Sequence, residues 1–134
     1  MTETKKVASI PPLILSKLMS RLEIPAPVAA LQEACAKTGA RVVELHTGSY
    51  CDATDPAKAE KLLKRLVGGA EYAHALGLQV NAGHGINLTN IDGILAIPYL
   101  DTLNIGHSIV ARAVFQGLEK AVREMLAAMS DYRL

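Results

Sequence analysis

A chain of 134 residues, half of them hydrophobic and 20% charged, has the size and composition of one globular domain with its own core. Fourteen basic residues against 13 acidic leave a formal net charge of +1, and aromatic residues make up 4% with no tryptophan. That balance excludes the basic footprint of a nucleic-acid binder and the aromatic platforms on which bases stack.

Residues 1–25 read as an N-terminal arm. Its apolar patch, Ile10–Leu18, is broken by Pro11 and Pro12 and is too short to span a bilayer. It also lacks a small-residue cleavage site, so a cytoplasmic protein without membrane association is expected. "SRLEI" at 20–24 is a weak candidate strand, interrupted by Arg21 and Glu23. Pro27 suits the first turn of a helix, which then runs to about Thr38 and stops at Gly39. "RVVEL", Arg41–Leu45, is rich in β-branched residues and reads as a buried strand, followed by the loop "HTGSYCDATDP".

Asp55 followed by Pro56 predicts an N-cap and first helical position. Ala59, Leu62, Leu63, Leu66, Val67, Ala70, Ala73 and Leu76 then form one helical stripe ended by Gly77. "LQVNA", Leu78–Ala82, is the next strand, with "GHGINLT" as its exit. Asn90 can cap a short helix over Ile91–Ile97, which must stop before Pro98. "TLNIG", Thr102–Gly106, is the third strand. A single last helix is expected from about Ser108 to Met129. Its buried stripe would be Ile109, Val110, Ala113, Val114, Leu118, Ala121, Val122 and Met125.

Strands alternating with helices predict an α/β fold of parallel strands joined by crossover helices. The strand runs look uniformly apolar rather than alternating, as expected when both sheet faces are covered. In such folds the site lies at the carboxyl ends of the strands. That rule collects Glu44, His46, Thr47 and Gly48 after the first strand, Gly83, His84 and Gly85 after the second, and Gly106 and His107 after the third.

His84, flanked by two glycines, is placed to act as a general acid or base near neutral pH, against the alternative of a purely structural histidine. Gly106 and His107 start a helix, where free N–H groups and the macrodipole favour a phosphate; the alternative is a tight turn. Glu44 lies inside an apolar strand, so it needs either a function or a structural partner such as an arginine. His46 either holds Glu44 or faces the site. His74, in mid-helix, reads as a surface residue. The histidines lack metal-ligand spacing on one helix, so no metal site is argued. Cys35 and Cys51 lie outside CxxC spacing and read as free thiols in a reducing compartment.

"ARVVELHTGSYCDA" (Ala40–Ala53), "AHALGLQVNAGHGIN" (Ala73–Asn87) and "IPYLDTLNIGHSIVARAVFQGLEKAVREM" (Ile97–Met125) together resemble the pyridoxine 5'-phosphate synthase family. The resemblance covers roughly Pro27–Met129 and only the C-terminal half of the family's chain. It implies a partial TIM barrel of about three to four βα units over residues 26–134. It also implies condensation of 3-amino-2-oxopropyl phosphate with 1-deoxy-D-xylulose 5-phosphate, without cofactor or metal.

By that resemblance His84 matches the proton donor and Glu44 a carboxylate that stabilises a transition state. Gly85, Gly106 and His107 match residues that bind the aminoketone phosphate. The family's substrate-binding Asn and Asp, its His–Arg loop and its proton-accepting Glu have no counterpart before Pro27. The expectation is therefore a chain that is inactive alone. It would act with a complementary N-terminal half or as a homo-oligomer. The alternatives are a homodimeric half-barrel that keeps only phosphate-ligand binding, and a truncated gene product without a role of its own.

Overall fold

The computed structural model describes residues 25–130 and Tyr132. The N-terminal arm and the candidate strand "SRLEI" lie outside the described residues. Three strands, β1 (Val42–His46), β2 (Gln79–Gly83) and β3 (Leu100–Asn104), form one sheet in the order β1-β2-β3. Both pairings are parallel. The fold is α/β, as the alternation of elements predicts, with each strand joined to the next through helices.

The helices follow local chemistry. α1 (Ala26–Lys37) starts after Pro25, with a proline in its first turn, and gives way through Thr38 to Gly39 at φ +84°. α2 (Gly48–Cys51) is a single turn within the stretch read as a loop. α3 (Pro56–Ala75) is capped by Asp55, whose carboxylate accepts the Ala57 N–H at 3.1 Å. Gly77, at φ +78°, follows its end. α4 (Ile91–Leu95) is shorter than expected, and Asn90 does not cap it through its side chain. That side chain closes the preceding loop instead, accepting the Asn87 N–H at 2.9 Å and donating to the Gly85 carbonyl at 3.0 Å.

The last helix is two helices. α5 (His107–Gln116) and α6 (Leu118–Ala128) meet at Gly117, whose φ of +87° and ψ of 150° belong to glycine almost alone. The expected stripe is broken there. Ala121 and Met125 are buried, but Val110, Val114 and Leu118 are 61%, 78% and 61% exposed. Arg112 pairs with Glu124 across the break, and Gln116 donates to the same carboxylate at 2.7 Å.

The core lies on one face of the sheet. Leu45, Val80, Ala82 and Leu100 pack there against Ala70, Ala73, Ile91, Ile94, Ile97 and Met125. This corrects the expectation of strands covered on both faces. β1 and β2 alternate: Val43, Leu45, Val80 and Ala82 turn to the helices, while Val42, Glu44, His46, Gln79 and Asn81 lie on the other face. The period of two is the cause, since neighbouring side chains on a strand point to opposite faces. β3 keeps the pattern from Thr102 onward. A register irregularity beside Asp101 leaves Thr102 level with Asn81 and Asn104 level with Gly83. Apart from Val42, the open face of β1 and β2 is consequently polar.

Candidate functional site

The carboxyl end of β1 passes into Thr47, which is fully buried. Its hydroxyl lies 2.7 Å from the Gly83 carbonyl and 2.6 Å from that of His84, and its N–H donates to the Gly83 carbonyl at 2.8 Å. These bonds tie the β1 exit to the β2 exit. They act where the backbone is least ordinary: His84 and Gly85 both stand in the left-handed region, at φ +80° and +76°. A left-handed histidine costs about 1–2 kcal/mol and persists only where the surroundings hold it. At Gly85 a side chain has no room, because a Cβ would stand 2.8 Å from that of Cys51. Burial, its largest influence, pushes the Cys51 thiol upward.

The His84 ring has two neighbours. His46 stacks on it, with ring centroids 4.4 Å apart and planes 24° from parallel. Glu44 approaches from the same strand face, its Oε1 3.5 Å from His84 Nδ1. His46, left open between holding Glu44 and facing the site, rests its ring on that of His84. Glu44 is not buried; its side chain is 35% exposed, because it lies on the polar face of β1. Its second oxygen accepts the side-chain amide of Asn104 on β3. Among the described residues, no arginine is its partner.

At the exit of β3, Gly106 forms the N-cap position of α5 and His107 its first residue, both exposed. β3 ends at Asn104, two residues earlier than expected. The Ser108 hydroxyl donates to the Ile86 carbonyl at 2.6 Å and fastens the start of α5 to the β2 exit loop. The first-turn N–H groups of α5, a helix of ten residues, have no carbonyl one turn back to accept them.

A cavity of about 740 Å³ opens between these exits. Glu44, His84, Gly85, Gly106 and His107 all line it, together with Asp52, Ile86, Asn87, Asn104, Ile105 and Ser108. Five of the nine residues collected from the strand ends therefore meet at one place, while His46, Thr47, Gly48 and Gly83 are not among the lining residues. Asn104 and Ser108 were missed. Their signal was available: Asn104 is the last polar residue of a strand aimed at the site, and Ser108 stands in the first turn of the phosphate-favouring helix. His74 is exposed, as expected, and lies against a different cavity of about 870 Å³ at the amino ends of the strands. There its ring stacks on Tyr99 at 3.9 Å.

Among the described residues, no helix is long and apolar enough to cross a membrane. The family model described as pyridoxal phosphate biosynthesis protein PdxJ matches residues 21–131. The pyridoxine 5'-phosphate synthase of Caulobacter vibrioides (strain NA1000 / CB15N) is 50% identical over 104 residues, covering 75% of this chain and 41% of that protein. The synthase of Akkermansia muciniphila is 54% identical over 98 residues, 72% of this chain and 39% of that protein. The synthase of Thioalkalivibrio sulfidiphilus is 45% identical over 131 residues, 98% of this chain and 53% of that protein. The chain thus spans about half the length of these relatives or less.

Proposed function

The chain belongs to the family of the pyridoxal phosphate biosynthesis protein PdxJ, and on that premise we propose that it supplies the C-terminal half of a pyridoxine 5'-phosphate synthase site. The observation that carries the reading is the single cavity shared by Glu44, His84, Gly85, Gly106 and His107.

In this reading the phosphate of 3-amino-2-oxopropyl phosphate lies at the start of α5. The first-turn N–H groups and the helix dipole attract it there, and the absence of a side chain at Gly106 lets it approach the backbone. Gly85 brings a second stretch of backbone to the ligand. His84 donates a proton to the reacting aminoketone, with Glu44 Oε1 beside it at 3.5 Å from Nδ1.

Condensation with 1-deoxy-D-xylulose 5-phosphate requires imine formation, several proton transfers and loss of water and phosphate. One histidine and one carboxylate do not supply all of these. The polar face of the sheet, with Glu44, His46, Asn81, Thr102 and Asn104, would form part of a barrel lumen closed by further βα units. Such units are not among the described residues. The purified chain should therefore bind the aminoketone phosphate yet form pyridoxine 5'-phosphate at a negligible rate.

Both outcomes are read from one preparation, by calorimetric titration with the aminoketone phosphate and by product assay with both substrates. A chain that binds without turnover supports the reading. Turnover at an ordinary enzyme rate of about 1 s⁻¹ or more by the chain alone contradicts the half-site, and absence of binding contradicts the assigned ligand. If binding occurs only in a homodimer, as sedimentation would reveal, the complementary units come from a second copy.

A further inference from the structure

Glu44 on β1 and Asn104 on β3 belong to strands that do not touch, since β2 runs between them. Their side chains nevertheless meet, the Asn104 Nδ2–H donating to Glu44 Oε2. The contact passes over Gly83, the β2 residue level with Asn104. A Cβ at Gly83 would stand 2.7 Å from Glu44 Oε1 and 3.2 Å from Asn104 Cβ. Gly83 has no positive φ to explain its glycine, in contrast to Gly85. The bare backbone at Gly83 is thus the space through which the two side chains join.

The bond decides what faces His84. With one Glu44 oxygen held by Asn104, the other lies 3.5 Å from His84 Nδ1. A carboxylate only accepts hydrogen bonds, so its approach to a ring nitrogen favours a proton on that nitrogen. His46 stacked on the ring and Thr47 on the His84 backbone limit the remaining ways in which the imidazole can turn. We infer that Asn104 is a positioning residue, which acts through Glu44 to fix the neutral His84 as the Nδ1–H tautomer and reserve Nε2 for exchanging a proton with the ligand. Donation then runs from Nε2–H of the imidazolium to the substrate and leaves the ring in the tautomer that Glu44 already favours. The role as a donor rests on the proposed function; the tautomer does not.

The test is the ¹⁵N–¹H spectrum of the histidine rings in the ligand-free chain, at a pH where His84 is neutral. The wild-type His84 should show a protonated Nδ1. In Asn104→Ala the Nδ1 signal should move toward the position of an unprotonated ring nitrogen. Gly83→Ala should move it the same way, because the new methyl displaces Glu44 from the opposite side. Glu44→Gln should invert the tautomer: Asn104 holds the new amide oxygen and turns its NH₂ to Nδ1, which must then accept.

Amide spectra report that each variant is folded. An unprotonated Nδ1 in the wild type overturns the inference. So does a His84 signal unchanged in whichever of the Asn104→Ala and Gly83→Ala variants folds. Because no ligand is present, a chain that gives the expected pattern but binds no phosphorylated ligand refutes the functional reading alone.

Discussion

Two strand exits in this molecule end in glycine and histidine, and they are built on different terms. At the β2 exit the fold accounts for both residues. Gly85 is left-handed and has no space for a side chain, while His84 is left-handed and braced by Thr47, Glu44 and His46. At the β3 exit the fold asks for neither. Gly106 has φ −117°, and a Cβ there would meet nothing within 4 Å. His107 is exposed at the start of α5. A glycine that sterics explain says little about a ligand. A glycine that sterics do not explain, beside free helix N–H groups at the mouth of a cavity, points to one.

Substitutions at the two glycines break this contrast most directly. Gly85→Ala should lose about 3 kcal/mol of unfolding free energy, combining about 1–2 for the left-handed backbone with about 1–3 for overpacking against Cys51. Urea denaturation measures it. A loss below about 1 kcal/mol would place the β2 exit in the same class as the β3 exit. Thr47→Val comes next, at about 2 kcal/mol, because the His84 carbonyl loses its buried partner while the Gly83 carbonyl keeps the Thr47 N–H. Thr47→Ser should restore most of the loss. If it restores nothing, the methyl group rather than the hydroxyl holds the loop.

Gly106→Ala should behave in the opposite way. Its stability should fall by at most about 1 kcal/mol, the ordinary preference for glycine over alanine at an N-cap. Its affinity for inorganic phosphate should fall about tenfold, or about 1.4 kcal/mol. Equal losses of stability at Gly85 and Gly106 would erase the distinction between the exits.

The strand ends and the glycines around them were legible in the sequence because each follows from local rules: a β-branched run, a cap, a glycine at a stop. The face of each strand was not. "RVVEL" looks uniformly apolar, but shifted by one residue it reads Val42, Val43, Glu44, Leu45, His46, and the alternation of polar and apolar appears. The single last helix failed at Gly117, since one glycine inside an otherwise amphipathic pattern costs only about 1 kcal/mol and does not by itself announce a break. A strand covered on both sides would bury Glu44, but the polar face of β1 leaves it 35% exposed. The place of Asn104 at the end of its strand is legible in the sequence, but its partner two strands away is a relation that only register reveals.

The smallest expected effect concerns pH. Burial, then the hydrogen bond at 2.6 Å to Glu33, raises the Tyr72 phenol well above its usual range, and burial raises the Cys51 thiol. Both groups bind their proton more tightly when folded. Their contribution is complete below the unfolded pKa values of about 8.5 for Cys and about 10 for Tyr, and is lost as the pH rises beyond each toward its folded value. Stability should therefore decline from about pH 9 upward. Tyr72→Phe should flatten the part of that decline above about pH 10. A slope unchanged in this variant would remove Tyr72 from the account. This slope belongs to the α1–α3 contact and the α2 turn, away from the β3 exit, so it should be the same in Gly106→Ala.

The most direct test of the contrast between the exits is a titration of the ¹⁵N-labelled chain with inorganic phosphate, read at individual amides. Saturable shifts centred on Gly106, His107 and Ser108, present in wild type and weakened about tenfold in Gly106→Ala, are the expected result. No saturable shift at these amides, or unchanged affinity in Gly106→Ala, would contradict the assignment of the β3 exit as the phosphate grip.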